Sequence, residues 1–480
     1  MKKILMVILP LVLVTACVDS LDDWNIDQKR ASVVPARTLF TNSLKSVTDI
    51  LTTPNVNSNN YRMFVQYWAT TTYLDEPRYN MTQRLYSENL WNAIYRDALS
   101  DLKESKRLVE ADASLVPAVK NNQLALIGIM EVFAWNVLIN TFGDVPYSEA
   151  LDPANSLPKY DDAQDIFNDL LTRLDAALAL LTPGEPSFGA ADLIYSGSAA
   201  KWQMFGNSLK LKMGMLIADV DAAKAETIVE AAAPNVIASS ADNARFPYIS
   251  APPNNNPLSA NLNPLFSSRE DFVIASTIVD AMNDLDDPRR PFYFTETEPG
   301  VYEGGDYGFS NTYADFSHVS AKIIEPTFEA LLIDYSEVEF LLAEAVERGF
   351  DVGGTAEEHY NNAIEASILY WGGTEDEADD YLAQPEVAYA TAAGDYKEKI
   401  GTQKWIALYN RGWDAWVEWR RLDAPTLLPP SGPSIPNELF IPVRMIFPVR
   451  EQTVNTDQWE TAAAKYASDS PNSKLFWDAN

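Results

Sequence analysis

Residues 403–421 read QKWIALYNRGWDAWVEWRR. Trp405, Leu408, Tyr409, Gly412, Trp416 and Trp419 recur at steps of three and four, which gathers them on one face of a helix. A stripe this rich in aromatics belongs to a buried face before it belongs to a ligand platform. The pattern predicts one long helix from Tyr396 to Leu422. Its terminal Arg420 and Arg421, with Arg444 further on, need acidic partners. The stretch DYSEVEFLLAEA from Asp334 supplies them: its apolar positions form one face, and Glu337, Glu339 and Glu344 are read as ion-pair partners rather than catalytic acids.

Working outward, the same period marks a helix from Thr38 to before Pro54, then Tyr86–Leu108, Ala118–Phe142, Asp162–Leu181, Ala199–Ile217, Thr327–Val346 and Glu357–Tyr370. A turn at Gly143-Asp144-Val145-Pro146 follows the third of these. Successive hairpins of this length predict a mainly α fold, a tetratricopeptide-like helix-hairpin array of about eight helices. The scaffold occupies 37–232 and 327–424 of a single domain spanning 37–480. Between the two parts lies 233–326, which holds ten of the 29 prolines and cannot continue a helical stack. It is expected to form loops and short strands, and long loops on a rigid scaffold are where binding resides. A second irregular stretch closes the chain over 425–480, with a short strand expected at Leu439-Phe440-Ile441. Tyr61–Tyr79 is expected to begin as helix and break into a loop at Thr70-Thr71-Thr72 and Pro77.

With 47% hydrophobic residues in 480, the chain can build a large core, and its single cysteine leaves no internal disulfide to help. A net charge of -32 repels phosphate backbones and anionic surfaces, so no nucleic acid is expected as partner, and a neutral ligand suits the chain better than a sulfated or uronate-rich one. The two histidines, His318 and His359, stand in no metal-ligand spacing and are read as surface or packing residues. No HExxH, GxSxG or phosphate-cradling glycine loop is present, and proximity among 68 acidic residues selects no carboxylate pair. Neither a catalytic residue nor a cofactor or metal site is assigned, and no enzyme is expected.

The N-terminus carries an address. Lys2 and Lys3 precede an apolar run from Ile4 to Val14, too short to span a bilayer, and Thr15-Ala16-Cys17 resembles a bacterial lipobox. Residues 1–16 are then a signal peptide, Cys17 the lipidation site, and 17–36 a tether. Asp19, Asp22 and Asp23 resemble the surface-export signal of Bacteroidetes lipoproteins. No later segment is read as approaching about 20 apolar residues, so attachment falls to the lipid alone.

Taken together, the lipobox, FGDVPYSEAL from Phe142, WQMFGNSLKLKMGM from Trp202, REDFVIAS from Arg269, DAMNDLDDPR from Asp280, DYSEVEFLLAEA, QKWIALYNRGWDAWVEWRR and PVRMIFPVREQTVN from Pro442 resemble the SusD/RagB family of surface nutrient-binding lipoproteins. The resemblance runs almost end to end and implies a SusD-like fold and a lid over a SusC-like TonB-dependent transporter in the outer membrane. That lid would capture oligosaccharide, or peptide in RagB-like relatives, and deliver it to the transporter. It also implies that the segment before the first repeat meets the irregular region between repeats. Aromatic faces take the C–H side of a sugar, and Asn, Asp or Arg its hydroxyl edge. Trp68, Tyr73, Asp75, Arg78 and Tyr79 offer that combination in the first region, and Tyr302, Tyr307, Phe309, Asn311 and Tyr313 in the second.

Overall fold

The computed structural model describes residues 34–436 and 438–479; the leader, Cys17 and the tether up to residue 33 lie outside them. The chain enters at α1 (Ala36–Thr52) and passes through the short α2 (Tyr61–Phe64) and β1 (Trp68–Thr70). Next, α3 (Tyr86–Asn92) runs through a π-helical segment (Ala93–Leu99) into α4 (Ser100–Ala111), which packs back on α1.

Helix α5 (Pro117–Phe142) is the axis of the first scaffold part. Contrary to the expectation that no later segment is this apolar, it reaches a mean hydropathy of 1.6, long enough to cross a bilayer by composition alone. Its surroundings explain it: 89% of that window is buried in protein, and a helix apolar all round belongs inside a core. A two-stranded ribbon, β2 (Val145–Pro146) with β3 (Tyr160–Asp161), leads to α6 (Ala163–Leu180). Asp162 caps α6 by accepting from the N–H groups of Gln164 and Asp165. Along α6, Ile166, Phe167, Leu170, Leu174 and Ala177 form the buried stripe. Close approach is possible because Gly128 of α5 faces Ala177, whose Cβ would stand 3.1 Å from a side chain there. Then α7 (Ala199–Leu216) folds against α8 (Ala222–Ala232), a helix the periodicity did not single out. The hairpin partners here are therefore α5 with α6 and α7 with α8.

The insert is tied down by strands of two or three residues. β4 (Arg245–Phe246) precedes α9 (Pro257–Leu262) and β5 (Phe272–Ile274), and β5 pairs antiparallel with β1, Trp68 opposite Ile274. α10 (Ser276–Asp284) and α11 (Arg290–Tyr293) follow. β6 (Ala330–Leu331) pairs with β4, so the helix expected from Thr327 starts only at α12 (Tyr335–Glu347), where Asp334 accepts from Glu337 N–H. α12 packs against α13 (Ala356–Trp371), which opens on a Thr355/Glu358 capping box. After α14 (Glu375–Leu382), the predicted single helix over 396–422 is two: α15 (Tyr396–Ala407) and α16 (Gly412–Leu422). Gly412 stands where α2 approaches; a Cβ there would lie 2.8 Å from the backbone nitrogen of Arg62. The aromatic stripe is core as read, with Trp405, Leu408, Tyr409 and Trp416 buried and Trp419 partly so.

The closing segment carries α17 (Val449–Val454) and α18 (Thr456–Lys465), and Leu439-Phe440-Ile441 forms no strand. Of the three arginines, Arg421 pairs with Glu344 at 2.5 Å and with Glu418 at 2.6 Å. Arg444 instead pairs with Asp469 at 2.8 Å, and the donors of Arg420 go to the carbonyls of Trp416, Val443 and Asn140. Arg420 also lies 3.6 Å over the Trp416 ring, one helical turn earlier. Glu337 binds Arg411 and Lys212, while Glu339 faces His359.

Candidate functional site

The β1–β5 ribbon brings the 61–80 segment against the insert, and side chains lock the junction. Arg78 Nε donates to Gly308 O at 2.9 Å, Tyr307 Oη to Met63 O at 2.6 Å, and Asn311 Nδ2 to Thr70 O at 3.0 Å. Gly308 and Gly305 are needed here, since a Cβ at the first would meet Pro430 at 2.3 Å and at the second the Asn311 side chain at 2.8 Å. The same strand contact decides which aromatics face outward. Trp68 is 2% exposed, with its indole N–H on Tyr409 Oη, the Arg62 guanidinium over its ring and Phe272 beside it. Tyr79, Tyr307 and Asn311, at 9%, 8% and 8%, are likewise spent on packing, Tyr79 against Tyr307 and Asn311 on backbone carbonyls. Burial pushes the Tyr79 phenol up to about 12, so it stays neutral.

What emerges is a smaller surface. Tyr73 is half-buried between two guanidiniums, Arg84 at 4.8 Å and Arg269 at 5.8 Å from the ring centre, and accepts from Arg269 Nη2 at 2.8 Å. Asp271 clamps Arg269 in turn and holds its pKa above the usual arginine value. Thr71 donates to Glu270 O at 2.7 Å, and Ser310 donates to Thr71 O. Tyr313 stacks on His318 at 3.7 Å and 11°, and His318 Nε2 lies 2.6 Å from Tyr313 O. Burial first, and then the negative charge of Glu270, push the Tyr313 phenol up, so it too stays protonated. Tyr73, Arg269, Thr71 and Ser310 are thus joined through contiguous contacts into one loop-built face, and the charge of Glu270, whose carbonyl Thr71 bonds, reaches the Tyr313–His318 stack.

Arg78 and Phe309 flank that face. Phe309 leans toward Gly432 of the closing loop, where a Cβ would come 3.4 Å from its ring. Asp75 is engaged with the Asn80 amide at 3.1 Å. Tyr302 stands on a hairpin joined to Ser317 through Glu303, with Arg290 over its ring at 5.7 Å and its hydroxyl toward Glu296. The residue reading passed over Arg269, Thr71, Ser310 and His318. Arg269 lay in the quoted REDFVIAS stretch, but nothing in its spacing shows that it meets Tyr73, 196 residues earlier.

A helical-repeat scaffold carrying a loop-built surface defines the class. The pattern of the SusD-like family, described as starch-binding and associating with the outer membrane, matches residues 28–448, and the chain belongs to that family. Among solved structures, a chitin-binding protein is 28% identical with a TM-score of 0.79 over 92% of this chain and 99% of that one. A SusD homologue from Bacteroides uniformis is 25% identical, with a TM-score of 0.74 over 92% and 99%. A chitin-binding SusD homologue from Flavobacterium johnsoniae, at 23% identity and 0.74 over 92% and 99%, supports the fold. No curated protein matches the chain.

Proposed function

We propose that this protein is a lipid-anchored glycan-binding protein on the outer face of the outer membrane. It captures oligosaccharides of a neutral glycan and passes them to a SusC-like TonB-dependent transporter, with no chemistry on the ligand. The observation that carries the reading is the face joined by Tyr73, Arg269, Thr71 and Ser310, with the Tyr313–His318 stack within reach of the Glu270 charge. Rings there take a sugar's C–H face, and the guanidinium and hydroxyls its edge. The family description and the chitin-binding relative support a polysaccharide as cargo. The net charge of -32 favours an uncharged one. Cys17 supplies the anchor.

Affinity electrophoresis tests this against starch, a soluble chitin derivative, a β-glucan, and uronic and sulfated polymers. Retardation in at least one neutral gel is expected. Retardation by the anionic polymers alone would overturn the neutral cargo, and co-purified peptide with no retardation would overturn the glycan.

A further inference from the structure

A second concavity shares no residue with the loop face. Over the middle of α5, between α4 and α6, a trough of about 860 Å³ is open to solvent, within the range of ligand sites. Its floor is the edge-to-face pair Trp135 and Tyr147, 4.7 Å apart. Along it runs a connected polar chain. Tyr147 Oη donates to Asp169 and accepts from Arg173 Nη1 at 2.7 Å, Arg173 Nη2 donates to Glu131 at 2.6 Å, and Lys106 stands 3.7 Å from the same carboxylate.

Two features set this apart from a leftover groove. Glu131 is the one charged residue in the apolar run from Leu124 to Phe142, and it faces the trough at 7% exposure, where an apolar residue would have extended the core. The lining also balances its charge, with Lys103, Lys106, Arg107 and Arg173 against Glu104, Glu110, Glu131 and Asp169, in a chain whose net charge is -32. Aromatic floor, preorganised donors and acceptors, and local neutrality fit an uncharged polyhydroxylated ligand.

We infer that the trough is a second site for a short neutral oligosaccharide, which the chain holds independently of its loop face. This rests on the glycan reading above. Calorimetric titration of the full lipidated chain in detergent with chitotriose and with maltotriose tests it, using Tyr73→Ala for the loop face and Ala150→Trp for the trough. Ala150 lines the trough, and the indole fills it without deleting a contact. Tyr147→Ala, with its melting curve, is the second trough variant. The expected result is about two bound equivalents of one sugar, reduced to about one by Tyr73→Ala and to about one by Ala150→Trp, with the double variant silent. A single wild-type site abolished by Tyr73→Ala would overturn the inference and leave the glycan reading standing. Two sites retained in Ala150→Trp would overturn it as well. So would two retained sites with loss of transporter co-purification, which would make the trough a protein-docking surface. No binding of either sugar by the wild-type chain, with no retardation in any gel, would remove the glycan reading itself.

Discussion

Replacing Arg421 with methionine keeps much of the side-chain volume and removes one charge from a buried ion-pair network. Arg421 and Lys404 face Glu344 and Glu418, with Arg348 also on Glu344 at 2.8 Å, and beside them Lys212 and Arg411 face Glu337 and Asp414, with Asp334 3.5 Å from Arg411. Arg421, Lys404, Glu344 and Glu418 are all at most 4% exposed, and without Arg421 it falls to Arg348 to hold Glu344 and to Lys404 to hold Glu418. Burial acts to raise the Glu344 pKa, and Arg421 together with Arg348 more than offsets it, leaving the carboxyl below its usual range. Breaking one partner of a buried ion pair costs about 3–5 kcal/mol, here because Glu344 and Glu418 stay buried with one cation each where they had two. With about 2 cal/mol/K of unfolding entropy per residue, a body of this size carries roughly 0.9 kcal/mol/K, so the melting temperature should fall by about 3–6 °C. Differential scanning calorimetry measures it, with urea titration at 25 °C for the free energy. Arg96→Met is the control: its pair with Asp97 is exposed and is worth under about 1 kcal/mol. An Arg421→Met chain melting within a degree of wild type would refute the claim that this network holds the helices together.

Trp68→Ala should destabilise by about 3–5 kcal/mol in urea, because the indole is core; an unchanged midpoint would contradict its burial. Gly412→Ala should cost about 1–3 kcal/mol, since the methyl meets the α2 backbone; equal stability would show that α2 yields freely. For His359, burial acts to lower the pKa, and the bonds to Glu339 and Gly353 O outweigh it, so the folded value lies above the ordinary 6.5. A raised folded pKa means its stabilisation is full below about pH 6.5 and lost as pH rises through the folded value. His359→Gln should therefore lower the melting temperature more at pH 5.5 than at pH 9; a loss independent of pH would contradict the charged pair. For Glu337, burial acts to raise the pKa while Arg411, Lys212 and Lys404 draw it down to about 2. Its contribution is present above about pH 4.5 and lost as pH falls toward 2, so Glu337→Gln should cost least at the acid end; the same loss at pH 2.5 and pH 7 would contradict this.

How far the sequence reaches is visible residue by residue. The stripe in QKWIALYNRGWDAWVEWRR was legible as core because helical period is a local property. The break at Gly412 was not, because it answers to Arg62, 350 residues earlier. Trp68 and Tyr73 read alike, both aromatics in a short segment ahead of the repeats. Pairing of β1 with β5 sinks Trp68 under Phe272 and leaves Tyr73 at the surface beside Arg269, and no local signal carries that pairing. The acids of DYSEVEFLLAEA were rightly read as ion-pair partners, with the mates partly exchanged: Arg421 serves Glu344, while Glu337 takes Arg411 and Lys212. Side-chain reach and charge permit several such matings, and packing selects one.

The central claim is that the loop face holds a glycan. Crystals of the chain soaked with chitohexaose or maltohexaose test it most directly. Density for at least one sugar ring against Tyr73 or Tyr313, with a hydroxyl on Arg269, is the predicted result. A bound sugar that leaves the loop face empty, or a peptide lying across it, would contradict the account.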